Sequence, residues 1–227
     1  MPNEYLHISD DVTGPDWLLR IMTRLNQSSS DSLRSRMAGW PEGPLRERGL
    51  ALASKLIMLQ RIALRVNQQT QRLKEGLNDE SGLNNCIQQG YAYPLTDRFL
   101  PYEILVDIES LIFESRSAYE IIGHFLKNFF RHILEQDITE AEVIGTLNER
   151  GIDTQWIRVL RDCRVLFFHD TAPWPAVKIV SREPLEIELV ILKKTVQRFD
   201  NPDDYIEFDQ MRSIYQGLDT SLRAIYQ

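Results

Sequence analysis

An arginine and a histidine five positions apart, Arg164 and His169, are the residues of this chain best suited by type to acid–base chemistry. An imidazole with an ordinary pKa near ~6.5 can accept and return a proton close to neutral pH. A guanidinium beside it can hold an anionic group through charge-assisted hydrogen bonds. The pair is therefore a candidate for proton transfer next to a bound anion.

Structural roles for the same residues remain open. His169 could satisfy free carbonyl groups at the end of a helix. Arg164 could form an ion pair with an acidic residue such as Glu120 or Asp162, and these two carboxylates are also the candidates to orient the arginine. Arg161 is a candidate second phosphate ligand, since it lies about 60° from Arg164 and about 80° from His169 around a regular helix.

The spacing of the pair sets a geometric condition. Five positions on a regular α-helix place Arg164 and His169 about 140° apart, on different faces. The two side chains can meet only if the helix unwinds before His169. Pro173 and Pro175 follow closely, and they predict that the helix ends near His169.

Several other chemistries have no sequence signal. The four histidines and two cysteines do not show the spacing of a metal site, and no cofactor is expected. The sequence contains no phosphate-binding glycine loop and no serine nucleophile elbow. Cys163 falls on the apolar stripe of its predicted helix, which favours packing over catalysis.

Hydrophobic periodicity predicts a mainly α protein with one appended hairpin. Long helices are expected over residues 45–76 and 102–134, shorter ones over 16–26, 139–151 and 153–169, and a last one over 205–225. Residues 27–44 and 78–99 are expected to be irregular. Alternating apolar residues predict a hairpin within 177–192. This divides the chain into an N-terminal helix and linker, 1–44, and a helical domain, 45–227.

The helix expected over residues 45–76 is locally basic. Arg61, Arg65 and Arg72 fall within about 40° of one another around it. They could form a solvated face, pair with acidic neighbours or contact an anionic ligand. The whole chain nevertheless carries a net charge of −7, which argues against a nucleic-acid binder that wraps its target with a basic surface.

The segment from Arg161 to His169, Arg-Asp-Cys-Arg-Val-Leu-Phe-Phe-His, resembles the HEPN superfamily, whose mark is an arginine followed after four to six residues by a histidine. Residues 115–120 upstream (Ser-Arg-Ser-Ala-Tyr-Glu) and 169–174 downstream (His-Asp-Thr-Ala-Pro-Trp) resemble the Cthe-type HEPN group. The resemblance covers roughly residues 100–180, with the basic helix as a further element.

The resemblance implies a bundle with long antiparallel helices and a metal-independent endoribonuclease, toxin-like or defence-like, formed by a symmetric homodimer. Arg164 and His169 would be catalytic. Arg161, Arg61, Arg65 and Arg72 would bind RNA. The position after the arginine is commonly polar in the family and is Val165 here, so a non-catalytic module that binds RNA, a nucleotide or a protein partner is the alternative. An unrelated helical interaction domain is a third reading.

Under each of these alternatives, the composition predicts a soluble, cytoplasmic protein. The polar N-terminus lacks the apolar run of a signal peptide, and no stretch is long and apolar enough to cross a membrane. Besides a second copy and RNA, a protein inhibitor that keeps the chain silent is an expected partner of a toxin-like protein.

Overall fold

The computed structural model describes residues 42–77, 80–89, 93–167, 173–193 and 201–226. The helix predicted over 16–26, the linker up to residue 41 and His169 lie outside the described residues. The described part is mostly helical, 72% of it, with a small antiparallel sheet near the C-terminus, as the periodicity predicts. No helix within the described ranges is long and apolar enough to span a bilayer.

The helices are α1 (Glu42–Gly76), α2 (Glu80–Gln89), α3 (Leu100–Ile133), α4 (Glu140–Glu149), α5 (Gln155–Val165) and α6 (Phe208–Tyr226). The strands are β1 (Trp174–Arg182), β2 (Leu185–Leu192) and β3 (Tyr205–Glu207). The two longest helices, α1 and α3, match the two long predicted segments to within three residues at each end.

Helices α1 and α3 run antiparallel along one another. Lys55 in the first half of α1 pairs with Glu114 near the middle of α3, and Arg72 near the end of α1 pairs with Glu103 early in α3. A seven-residue repeat of apolar residues explains the close contact, because it keeps one seam of each helix facing its partner. The buried seam of α1 consists of Leu52, Leu59, Val66 and Leu73.

Helix α2 lies in a segment that was expected to be irregular, so that expectation is wrong for residues 80–89. Leu83 is buried and anchors the helix. The side chain of Gln89 donates a hydrogen bond to Asn85, one turn earlier, at 2.7 Å. The asparagines and glycines of this segment favour turns by composition, but one buried leucine and an i,i+4 contact are enough to support three turns of helix.

Helix α4 begins with a capping box, which a threonine followed three positions later by a glutamate predicts. The Thr139 hydroxyl accepts a hydrogen bond from the backbone N–H of Glu142, and the Glu142 carboxylate accepts from the backbone N–H of Thr139. The Thr139 backbone N–H and hydroxyl both donate to the Glu142 carboxylate, and these two hydrogen bonds hold the pKa of Glu142 below its usual range. Gly151, just past the helix, adopts a left-handed conformation with φ of 73°, which a residue with a Cβ rarely adopts.

The sheet has three strands rather than two. The predicted hairpin is present as β1 and β2, which turn at Glu183 and Pro184. The final helix, predicted from residue 205, begins only at Phe208, because Tyr205–Glu207 forms β3 against the free edge of β2. Ile206 pairs with the fully buried Ile191, so the third strand completes the hydrogen bonds of a buried edge.

Helices α5 and α6 pack together around Trp156. Its indole N–H donates to the buried Ser221 hydroxyl at 3.2 Å. A Cβ built at Gly217 would overlap the indole, so the glycine makes room for the ring. This contact joins the start of α5 to the second half of α6 and fixes the direction of the helix that carries Arg161 and Arg164.

Candidate functional site

Arg164 lies in the last turn of α5 with an exposed side chain. No hydrogen bond or ion pair joins it to any residue within the described ranges. His169, its predicted catalytic partner, is outside those ranges. The structure therefore presents the arginine of the motif to solvent and does not place the histidine.

Arg164 and His169 can meet only if their helix unwinds before His169, so the way in which α5 ends matters for this pair. Regular α-helix ends at Val165, and the next two residues, Leu166 and Phe167, belong to a wider π-type turn. The spacing of 100° per residue therefore holds only as far as Val165 among the described residues.

The two carboxylates expected to orient Arg164 have other partners. Glu120 accepts a hydrogen bond from Arg116 at 2.8 Å, one turn away on α3. Asp162 lies 3.9 Å from Arg158, also one turn away and exposed. Both carboxylates therefore take part in i,i+4 pairs on their own helices, which are worth a few tenths of a kcal/mol when exposed.

Arg161 approaches the surface of α3. It lies close enough to the Tyr119 hydroxyl to favour the ionised phenol, as does Arg116. Burial, together with a hydrogen bond to Glu140 on α4 and the negative charge of that carboxylate, outweighs both arginines and raises the pKa of Tyr119. Tyr119 is thus a neutral donor at neutral pH and is unsuited to act as a base.

These groups form a polar cluster where α3, α4 and α5 meet. We call this set, Arg116, Tyr119, Glu120, Glu140 and Arg161, the mouth cluster. Arg116 also stacks over the Tyr119 ring, with its guanidinium carbon 5.4 Å from the ring centroid. Hydrogen bonds join Arg116 to Glu120 and Tyr119 to Glu140, so Arg116 is oriented before any ligand arrives.

Below the mouth cluster lies a cavity of about 400 Å³ bounded by α3, α4, α5 and α6. Its wall is predominantly apolar, and its floor includes Trp156, Ile157 and Leu222, which are buried. A second cavity of about 240 Å³, next to Phe125 and Phe129, lies beside the first and shares Val143 and Leu147 of α4 with it. Helix α4 therefore stands away from the bundle along most of its length.

Two of the three α1 arginines that were predicted to bind RNA form ion pairs with acidic residues. Arg65 forms a two-pronged ion pair with Asp107, and Arg72 pairs with Asp97 and Glu103. Pairing with acidic neighbours was one of the roles left open by the sequence.

Arg61 is exposed, with no ion-pair partner inside the described ranges. Asp107 on the α1 side of α3 and Tyr119 on the α5 side are about 120° apart around the helix, so the structure does not bring Arg65 and Arg161 together.

Cys163 and the histidines do not add a further reactive centre. Burial, followed by the charge of Asp162, raises the pKa of the Cys163 thiol to about 12, so it stays protonated. This agrees with its predicted packing role. No group of three or more metal-binding side chains occurs in the part of the chain that the structure describes.

Sequence reasoning missed the Tyr119–Glu140 contact. The hydrophobic periodicity of α3 predicts that Tyr119 lies on its apolar stripe, and the ring packs against Trp156 with 5.8 Å between the centroids. The signal was the hydroxyl itself, because a half-buried tyrosine needs a polar partner at its tip. Which partner it finds depends on the approach of α4, which no local pattern encodes.

No protein-family model matches the chain, and no curated protein sequence and no solved structure matches it with statistical significance.

Proposed function

We propose that this protein is a metal-independent endoribonuclease of the HEPN type that works as a homodimer and is toxin-like or defence-like. One observation carries the proposal. Arg164 of the motif is exposed, has no partner within the described ranges and stands where regular α-helix gives way to a wider turn. A guanidinium in that position is free to bind a phosphate, and the chain beyond it can leave the helix axis.

In this proposal His169 takes the proton from the 2′-hydroxyl that attacks the neighbouring phosphate, or returns one to the leaving 5′-oxygen. Arg164 holds the phosphoryl oxygens through charge-assisted hydrogen bonds. A second copy supplies the other histidine, because one imidazole cannot be acid and base in the same step. DNA lacks the 2′-hydroxyl and is not cut by this route.

Arg161 is a second reason to propose that the C-terminal end of α5 binds phosphate. It is exposed, and its charge reaches the mouth cluster, where Arg116 adds a second guanidinium. Arg161, one turn before Arg164 on α5, would help guide an RNA backbone toward the motif.

A second function is favoured by a specific residue. Val165, directly after Arg164, is 44% exposed, which is unusual for a valine beside a phosphate-binding arginine. An exposed apolar side chain there suits contact with a protein or a base. The alternative is therefore a non-catalytic HEPN-like module that binds RNA, a nucleotide or a protein partner through the end of α5.

Cleavage assays with EDTA present distinguish the two functions. We expect wild type to cut RNA and to leave 2′,3′-cyclic phosphate ends, with no effect of the chelator. His169→Ala and Arg164→Ala should each lower the rate by about 100-fold or more. Arg164→Lys should recover little activity, because lysine lacks the planar fork of donors.

Arg158→Ala is the matched control, since Arg158 is an exposed arginine on the same helix, paired only with Asp162 within the described ranges. It should retain the wild-type rate. A wild type that binds RNA without cutting it would exclude the nuclease and favour the binding module. Equal loss in Arg158→Ala and Arg164→Ala would show a general charge effect and contradict the assigned role of Arg164.

A further inference from the structure

The cavity beneath the mouth cluster has the size and lining of a small-molecule site. Its volume of about 400 Å³ lies within the range of roughly 300–1,000 Å³ that is typical of ligand pockets. An engineered apolar cavity of only about 150 Å³ binds benzene. Ile122, Val143, Ile144 and Leu218 provide much of an apolar wall that suits an aliphatic or aromatic body.

The outer wall of the cavity, α4, is attached by few contacts. Leu147 is its only buried residue. At its start Glu140 accepts a hydrogen bond from Tyr119, and just past its end Arg150 donates to the backbone carbonyl of Ala224 at 2.9 Å. The capping box stabilises the helix on its own, so α4 keeps its shape without filling the space beneath it.

The rim of the cavity carries charges of both signs. Arg116 is paired with Glu120 at one end of the opening, and Glu140 accepts a hydrogen bond from the neutral Tyr119 hydroxyl at the same end. Lys127, eight positions further along α3 than Tyr119, also lines the opening and is exposed, with no ion pair to any described residue. His124 lies one turn before Lys127 on the same rim and adds a donor. The cavity therefore combines an apolar interior with a cation at its Lys127 end that has no ion-pair partner among the described residues.

We propose that this cavity binds a small amphipathic anion, with its hydrocarbon body among the apolar residues under α4 and its anionic head at Lys127. Arg164 is not among the residues that line this cavity, and the proposal does not depend on ribonuclease activity. The head can be a carboxylate or a phosphate, since the rim offers a point charge rather than a shaped fork.

Titration of the full chain with decanoate, decyl phosphate, decanol and decylamine tests the proposal. The indole N–H resonance of Trp156, which lines the cavity, reports occupancy, and that of Trp174 on β1 is the reference. We expect the two anions to bind with a Kd on the order of 10–100 µM and to shift Trp156 alone. Decanol should bind about tenfold more weakly, because it lacks the charged head. Decylamine should not bind.

Two variants test position and charge. Gly123 lines the cavity, and a Cβ built there meets no atom within 4 Å, so Gly123→Phe can occupy the opening without disturbing the fold. It should abolish binding. Gly145→Phe is its control, because Gly145 is equally open and lines neither cavity. Lys127→Gln should reduce decanoate affinity about tenfold, to that of decanol, while Lys74→Gln at the end of α1 should not change it.

Selective binding of the two anions at Trp156, lost in Gly123→Phe and weakened in Lys127→Gln, supports the proposal. Unchanged decanoate binding in Gly123→Phe overturns it, as does equal affinity for decylamine. A wild type that binds none of the four probes also overturns it.

Discussion

At the scale of single residues, two helical glycines lie in opposite surroundings. Gly217 of α6 faces the indole of Trp156 so closely that a Cβ would overlap the ring. Gly145 of α4 has open space at the same position. Glycine costs a helix roughly 0.5–1 kcal/mol relative to alanine. The close approach of Trp156 accounts for the glycine at position 217, whereas no contact among the described residues requires one at position 145.

This contrast predicts opposite effects of one substitution. Gly217→Ala should lower the free energy of unfolding by about 2 kcal/mol, because α5 and α6 must separate to admit the methyl group. Gly145→Ala should raise the free energy of unfolding by about 0.5 kcal/mol through helix propensity. Urea denaturation of both variants measures the difference. A stabilised Gly217→Ala would show that Trp156 does not pack against this glycine.

At the scale of elements, the pairing of α1 with α3 depends on ion pairs in different environments. Asp107 is 3% exposed and accepts from Arg65 and, at 2.8 Å, from the side-chain nitrogen of Gln69. Arg72 and its partners Asp97 and Glu103 are between 42% and 47% exposed. A buried carboxylate that loses its partner is costly, whereas an exposed pair contributes little.

Arg65→Ala should therefore lower the free energy of unfolding by about 2 kcal/mol, since Asp107 would keep only Gln69 as a partner. Arg72→Ala should lower it by less than about 1 kcal/mol, because its acidic partners stay hydrated. Arg61→Ala, at an exposed position with no ion-pair partner in the described ranges, should leave stability within about 0.5 kcal/mol of wild type.

Thermal and urea unfolding of these three variants, together with their RNA affinity at several salt concentrations, separates structural from binding roles. An arginine that contacts RNA phosphate should flatten the salt dependence when it is replaced. If Arg65→Ala left the unfolding free energy unchanged, a stabilising role for the pair between the exposed Arg65 and the buried Asp107 carboxylate would be contradicted.

At the scale of the whole molecule, one surface of α3 carries exposed apolar side chains. Tyr102, Val106 and Phe113 lie along one stripe of α3 and are 56–59% exposed. Trp174 of β1 packs edge-on against Tyr102, with ring centroids 5.4 Å apart, and is itself 44% exposed. Val165 adds an apolar group at the end of α5. Such a patch suits a contact with a second copy.

The homodimer implied by the HEPN resemblance stays a prediction, and this surface makes it testable. Light scattering coupled to chromatography should give about twice the chain mass of 26.5 kDa at micromolar concentration. Phe113→Glu should give the single-chain mass and abolish RNA cleavage. Leu64→Glu is the control, because Leu64 is 49% exposed on α1, and it should remain dimeric. A wild type that is strictly monomeric would contradict both the dimer and a composite site.

The sequence by itself determined the elements whose causes are local. The seven-residue repeats predicted α1 and α3 to within three residues at each end, because helix faces depend on neighbours three and four positions away. The capping box at Thr139 and Glu142 spans only three positions, and strict alternation identified the hairpin. The sequence also identified Arg164 as a candidate site residue, by its type and by its spacing from His169.

Tertiary structure decided which groups meet across long separations. Arg65 and Asp107 are 42 positions apart, and nothing in the local pattern of α1 distinguishes Arg65 from the exposed Arg61. The third strand at Tyr205 depended on a free edge of β2. The cavity under α4 exists because four helices approach without filling the space between them. Burial, charge pairing and cavity volume depend on how the helices pack against one another. No local pattern of residue types in the sequence specifies that packing.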